Sequence, residues 1–249
     1  MPNWVRGNYA IKGTKENVLK FLNEGLKNSG CELMTDCQQA FDCLKQNAKT
    51  KQSEFFYLDE KKRAGNTADT PAEIVYVNKL TLDTFRPMPD TFRMYDTTNF
   101  ADDMPEIAAE QKRLYGCVGW YDWGLMYRGT KWNPELNDFK LEIKDDIATV
   151  TFGCSTAWSY PDAWLHWVKD TFDVAVLLCV SEESNMFNFY GEIDEDESAF
   201  DIEEKEGKPN EDDYENEDDF WEALWMWQDE CISSMFDEFS AYVENYEAA

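Results

Sequence analysis

The sequence predicts an α+β fold, an antiparallel sheet with helices, that closes with an acidic segment ending in a long helix. Three observations carry this. Short runs rich in Val, Ile, Phe and Tyr alternate with runs whose apolar residues recur at three and four. Two strand-like runs, Val174 to Val180 and Phe187 to Ile193, follow one another across Glu182-Glu183-Ser184-Asn185 like the arms of a hairpin, which makes the sheet antiparallel. From Glu182 to Ala249 the chain holds 25 acidic residues against two lysines, Lys205 and Lys208. That same stretch carries Phe220, Trp221, Leu224, Trp225, Trp227, Ile232, Met235, Phe236, Phe239, Tyr242 and Tyr246, residues that a disordered acidic tail lacks.

The elements follow in order. Trp4 to Lys12 reads as a strand, with Gly13-Thr14 as a turn and helix N-cap. From Asn17 to Lys27, Val18, Leu19, Phe21, Leu22 and Leu26 fall at helical spacing until Asn28-Ser29-Gly30 ends the run. Met34 to Asn47 reads as a further helix through Ala40, Phe41 and Leu44, and Glu54 to Leu58 and Glu73 to Val77 read as strands around a polar loop at Ala64-Gly65-Asn66. Met104 to Tyr115 makes a helix with Pro105 in its first turn. Leu141 to Ile143 and Thr149 to Phe152 are strands, and Ala163 to Lys169 a helix; the nearly unbroken apolar run Val174 to Val180 suits a central strand. A helix from Asp218 to Tyr246 ends the chain, which divides into an α+β domain over 1–193 and an acidic unit over 194–249.

Charge bounds the function classes. The chain of 249 residues is 43% apolar and 15% aromatic, enough to bury a core. Its net charge is −28, of which the stretch from Glu182 carries −23, leaving −5 for the other 181 residues. A pI near 4.2 argues against nucleic acid and anionic membrane as direct ligands and points to a basic partner or to none. No run reaches eighteen apolar residues, and Met1-Pro-Asn-Trp-Val-Arg-Gly has no signal core, so the expected location is the cytoplasm. Seven scattered cysteines, an odd number, read as reduced and buried thiols.

Between these elements lies an aromatic cluster, Gly119-Trp120-Tyr121-Asp122-Trp123-Gly124, followed by Gly129-Thr130-Lys131-Trp132-Asn133. Together with Met1-Pro2-Asn3-Trp4, Arg86-Pro87-Met88-Pro89 and Thr156-Ala157-Trp158-Ser159-Tyr160-Pro161, it resembles the signature of the Api-like family of phage and plasmid proteins with a YubB-type domain. The resemblance runs to about Ile193 and departs from the family pattern between Asn66 and Leu82 and in the acidic segment. It implies a ferredoxin-like antiparallel sheet with helices on one face, encoded by a mobile element, and no established reaction.

Catalytic and metal signatures are weak. There is no Cys-x-x-Cys pair, and the single histidine, His166, sits among Trp164, Leu165 and Trp167 with no nucleophile beside it, so it reads as a satisfied core or edge histidine. There is no Gly-x-Ser-x-Gly elbow, and Gly129-Thr130-Lys131 lacks the glycine spacing of a phosphate loop. A calcium loop begun at Asp194 puts Ala199 where glycine is needed and Lys205 where a bidentate Glu is needed. With so many acids, no carboxylate pair marks a glycosidase site. Trp120, Trp123, Trp132 and Trp158 read as core, since Lys112, Arg113, Arg128 and Lys131 are too few to line a groove for bases. The chain is therefore read as a non-enzyme without cofactor.

Three readings of the acidic unit compete. It is a solvating linker followed by a docked helix; it is an imitation of nucleic-acid phosphates; or its helix binds a partner through Trp221, Leu224, Trp225, Ile232, Met235 and Phe239. On the helix, Glu222, Asp229, Asp237 and Glu244 recur every seven or eight residues as one stripe. Their spacing is about 10 to 12 Å, sparser than the one charge per about 1.7 Å of duplex DNA, so the preceding acids must fill in. Concentrated charge of one sign costs self-repulsion, which implies that the field is used. With the analogy to small acidic phage proteins, this selects imitation: an anti-CRISPR or anti-restriction type inhibitor that occupies the basic groove of a nucleic-acid-binding host defence protein. The residues expected to meet that partner are Asp194, Glu195, Asp196, Glu197, Asp201, Glu203, Glu204, Asp212, Asp213, Asp218, Asp219, Glu222, Asp229, Asp237 and Glu244.

Overall fold

The computed structural model of the chain describes residues 3–29, 33–34, 54–57, 74–77, 80–93, 104–184, 187–194, 198–199 and 205–247. In chain order these form β1 (Trp4–Thr14), α1 (Lys15–Ser29), β2 (Leu33–Met34), β3 (Glu54–Tyr57), β4 (Ile74–Val77), α2 (Leu82–Phe85), α3 (Asp90–Arg93), α4 (Pro105–Tyr115) and α5 (Gly119–Arg128). There follow β5 (Asn137–Lys144), β6 (Ile147–Ala157), α6 (Asp162–Phe172), β7 (Ala175–Glu182), β8 (Asn188–Glu192), β9 (Ser198–Ala199), a 3₁₀ turn (Glu211–Asp213) and α7 (Glu217–Asn245).

The main sheet has the order β5-β6-β1-β7-β8-β9, and each neighbouring pair is antiparallel. A second small sheet has the order β2-β4-β3. Met34, expected to open a helix, lies in β2, and residues 35–47 of that expected helix lie outside the described residues. Of the strands expected at 54–58 and 73–77, residues 54–57 and 74–77 form β3 and β4 and pair with one another, while Leu58, Glu73 and the loop expected at 64–66 lie outside the described residues. Thr14 ends β1 and caps α1, its Oγ1 accepting from the Asn17 amide at 3.2 Å.

Alternation along the strands decides which residues go inward. Val5, Tyr9 and Ile11 of β1 and Val176, Leu178 and Val180 of β7 face a core closed by Val18, Phe21 and Leu22 of α1 and by Trp164, Leu165, Val168 and Phe172 of α6. Phe21 stacks on Phe85 of α2 at 4.4 Å and meets Trp164 edge-on at 6.1 Å.

The opposite face is covered by the long helix. Ala10, Leu177 and Cys179 form a second core with Trp227, Met235, Phe239 and Val243 of α7. That explains the unbroken apolar run of β7: its odd and even residues are both buried, one set under α1 and α6 and the other under α7. The helices therefore lie on both faces of the sheet, where the sequence placed them on one and left the contacts of the last helix open.

Candidate functional site

α7 forms because nothing in its 29 residues breaks it and its start is well capped. The Asn216 side chain accepts from the Asp219 amide at 2.9 Å, and Glu217, Asp218 and Asp219 meet the positive end of the helix dipole. Glu222, Asp229, Asp237 and Glu244 are all exposed, whereas Met235 and Phe239 are docked. The last turn holds no base of its own. Lys12 of β1 supplies the cation, donating its Nζ to the Val243 carbonyl at 2.8 Å. Burial, and secondarily Lys144, lowers the pKa of Lys12.

The other expected site residues are placed differently. Asp212 and Asp213 sit exposed on the 3₁₀ turn, where the Asn210 side chain accepts from the Asp212 amide. Asp194 is tied to α6: its Oδ1 is 2.6 Å from His166 Nε2 and its Oδ2 3.2 Å from Lys169 Nζ. His166 Nδ1 faces the Asp162 carbonyl at 2.8 Å, so both ring nitrogens meet acceptors and the doubly protonated ring satisfies both. Partial burial pulls the pKa of His166 down, but the Asp162 carbonyl and the Asp194 carboxylate outweigh it and raise it. Glu195, Asp196, Glu197, Asp201, Glu203 and Glu204 lie outside the described residues.

An aromatic surface appears that sequence reasoning missed. Of the tryptophans read as core, Trp123 is buried with Met88, Phe92 and Cys117 and Trp120 packs partly against them, but Trp132 and Trp158 are exposed. Trp4 and Trp132 lie 5.7 Å apart, and Lys131 Nζ stands 4.9 Å from the ring centroids of both Trp132 and Trp158 and 5.7 Å from that of Tyr121. Backbone and hydroxyl bonds knit the segments: the Trp158 amide donates to Asn3 O at 2.9 Å, Thr130 Oγ1 to Ala157 O at 3.3 Å, and Ser159 Oγ to Gly129 O. Trp158 holds φ +66°, a strained value for a bulky residue. A local signal for exposure exists: Trp132 lies between Lys131 and Asn133 and Trp158 between Ala157 and Ser159, outside any periodic apolar run.

α7 leaves two grooves on the sheet face that it covers. One, of about 460 Å³, is lined by Trp4, Arg6, Glu183, Trp225, Asp229 and Ile232. The other, of about 780 Å³, lies between Phe239, Glu244 and Tyr246 of the helix end and Lys12, Lys140 and Lys144 of the sheet. Among the described residues no group of three or more His, Cys, Asp or Glu side chains is placed to hold a metal ion, and no helix is long and apolar enough to cross a membrane. No protein-family model, curated protein or solved structure matches the chain.

Proposed function

We propose that this chain is an anti-defence protein of a phage or other mobile element, of the anti-CRISPR or anti-restriction type. It acts in the cytoplasm of a bacterial host as an acidic imitation of nucleic acid and blocks a basic groove stoichiometrically, without catalysis or cofactor. The observation that carries the reading is the exposure of Glu222, Asp229, Asp237 and Glu244 on a helix whose other side is docked on the sheet. Charges held this way need no ordering when a partner arrives, so less conformational entropy is lost on binding, and their field speeds the encounter. Asp212, Asp213, Asp218 and Asp219 extend the acidic surface beyond the stripe. The order β1-α1-β5-β6-α6-β7, with β5-β6-β1-β7 neighbouring in the sheet, supports the ferredoxin-like reading of the domain and with it the resemblance to the Api-like family.

The test is replacement of Asp212, Asp213, Glu222, Asp229, Asp237 and Glu244 by Asn or Gln, with circular dichroism as the folding control. Wild-type protein on a column, loaded with bacterial lysate at low salt, should retain nucleic-acid-binding proteins that a salt gradient or added duplex DNA releases. A folded variant that retains the same proteins refutes the proposal. The exposure of Trp221 and Trp225 favours a second reading, a non-enzymatic adaptor that binds a partner through the aromatic residues of α7. Met235 and Phe239 are no longer available to it, because they are buried against the sheet.

A further inference from the structure

Five tryptophans are between 39% and 66% exposed: Trp4, Trp132, Trp158, Trp221 and Trp225. Exposed indoles on this scale mark interaction surfaces, since tryptophan is the residue most enriched where partners bind tightly. Elsewhere the molecule sets its own cations on such rings. Arg128 lies 4.9 Å from the Trp123 centroid while its guanidinium pairs with Asp83, Nη2 to Oδ1, at 2.5 Å. Arg86 lies 5.2 Å from Trp167, and Lys131 fills the space between Trp132 and Trp158. Trp4 and Trp225 are different. They line the groove of about 460 Å³ beneath the amino-terminal half of α7, and among the described residues no cation stands over either ring.

The same groove carries carboxylates. Glu183 accepts from the Trp4 main-chain amide through Oε2 at 3.0 Å, which holds its carboxylate in the groove lining, and Asp229 lies on α7 one turn beyond Trp225. Glu182, Glu183 and Asp229 outnumber Arg6, the one base in the lining. A flat cation that stacks on an indole and pairs with a carboxylate is a guanidinium, as Arg128 demonstrates inside the fold. An ammonium has no plane to stack and gains less.

We infer that the groove between Trp4 and Trp225 is a receptor for an arginine side chain of the partner, with Glu183 and Asp229 as its counter-charges. This rests on the reading of the acidic helix as a surface for a basic protein, and it names where that surface grips one residue and not merely a field. The carboxylates along α7 would then bring the partner in, and the groove would fix its register and choose arginine over lysine.

The probes are acetylated octa-arginine and octa-lysine, equal in charge, titrated at low salt against wild type, Trp225→Leu and the variant Asp212→Asn, Asp213→Asn, Asp218→Asn, Glu222→Gln. Wild type is expected to bind octa-arginine about tenfold tighter, ~1.4 kcal/mol, with the Trp225 indole proton shifting in the NMR spectrum. Trp225→Leu should bring the two peptides within about twofold while octa-lysine affinity stays put, and a dichroism spectrum and urea midpoint equal to wild type would show that the fold is intact. The charge variant should weaken both peptides and keep their ratio. Equal binding of the two peptides, or a preference that Trp225→Leu leaves untouched, overturns the groove and leaves the acidic surface standing. Failure of both peptides to bind wild type overturns the groove and the acidic surface together.

Discussion

Phe239 and Trp225 lie on one helix, are both aromatic and were both candidates for a partner-binding face, yet the structure assigns them opposite energetics. Phe239 is buried between α7 and the sheet, packed in one core with Leu177, Cys179 and Met235. Replacing it with alanine forfeits a transfer term of about 1.5–3 kcal/mol and opens a cavity beneath a helix whose neighbouring contacts hold it in place, so the whole change should cost about 3–5 kcal/mol. Trp225, at 66% exposed, loses little on truncation, within about 0.5 kcal/mol. The two sites are about 21 Å apart along the helix, far enough for their effects to add. Urea unfolding followed by far-ultraviolet dichroism should show the midpoint of Phe239→Ala falling by about 1–2 M and that of Trp225→Ala unchanged. Amide exchange in α7 should accelerate only in the first. A loss below about 1 kcal/mol for Phe239→Ala, or one above about 2 kcal/mol for Trp225→Ala, would refute the docking of α7 as described.

Three more outcomes follow from the geometry. Asp83→Ala removes the carboxylate 2.5 Å from the buried Arg128 guanidinium and should lower stability by about 3–5 kcal/mol, visible as a fall in melting temperature, whereas an exposed pair such as Glu110 and Arg113 can be broken with little effect. Because the pKa of His166 is raised in the folded state, the stability it contributes is complete below its unfolded pKa of about 6.5 and is lost as pH rises through the folded value; solvent screening at this half-exposed pair keeps the effect under about 1 kcal/mol. An NMR titration should place the ring above its ordinary value and Asp194→Asn should bring it back down. Burial pushes the Cys154 thiol up to about 12 and raises Cys179 as well, so a thiol reagent at pH 8 should leave both unmodified until the protein unfolds and, among the described cysteines, should reach the half-buried Cys231 before them.

The parts of this fold that could be read from sequence are those in which one local period meets one environment. α1 shows its face because Val18, Phe21 and Leu22 all enter a single core. β7 shows as an interior strand because both its faces are covered. β5 and β6 were legible only at their middles, Leu141 to Ile143 and Thr149 to Phe152, because alternate residues such as Lys140, Glu142, Thr149 and Thr151 look out over the open groove and dilute the apolar signal. α5 escaped as a helix because Gly119 and Gly124 stand inside it, the second where a Cβ would come within 3.0 Å of the Lys131 carbonyl. The aromatic surface was hidden for a different reason. Trp4, Trp132 and Trp158 come from segments far apart in the chain, brought to one place by the pairing of β1 with β6, Trp4 opposite Ala157, and by the bonds of Thr130 and Ser159 that tie the 129–132 segment to the end of β6. Acid positions on α7 were visible in the sequence; that Asp194 belongs to an ion pair with His166 and Lys169 was not, because that contact depends on how β8 leaves the sheet beside α6.

If the acids of α7 are kept for a partner, some of them must oppose the stability of the free protein, and the structure identifies which. Asp219 at the amino end is favoured twice, by the helix dipole and by the Asn216 side-chain amide that donates to its Oδ2, so Asp219→Ala should destabilise by about 0.5–1 kcal/mol whatever the protein binds. Glu222 lies three and four residues after Asp219 and Asp218, where like charges repel; Glu244, in the last turn where the dipole disfavours an anion, shares a groove with Lys12, Lys140 and Lys144, which offset that. Changing Glu222 to glutamine should therefore stabilise the free chain by about 0.5 kcal/mol. The gain should shrink in 1 M salt, where the screening length falls to about 3 Å. Melting temperatures at low and high salt measure both signs. An increase at Glu222, together with weaker retention of basic partners, is the pattern of a residue that fold alone would not keep; a decrease would mean that this acid serves the helix itself, and the field would need another explanation.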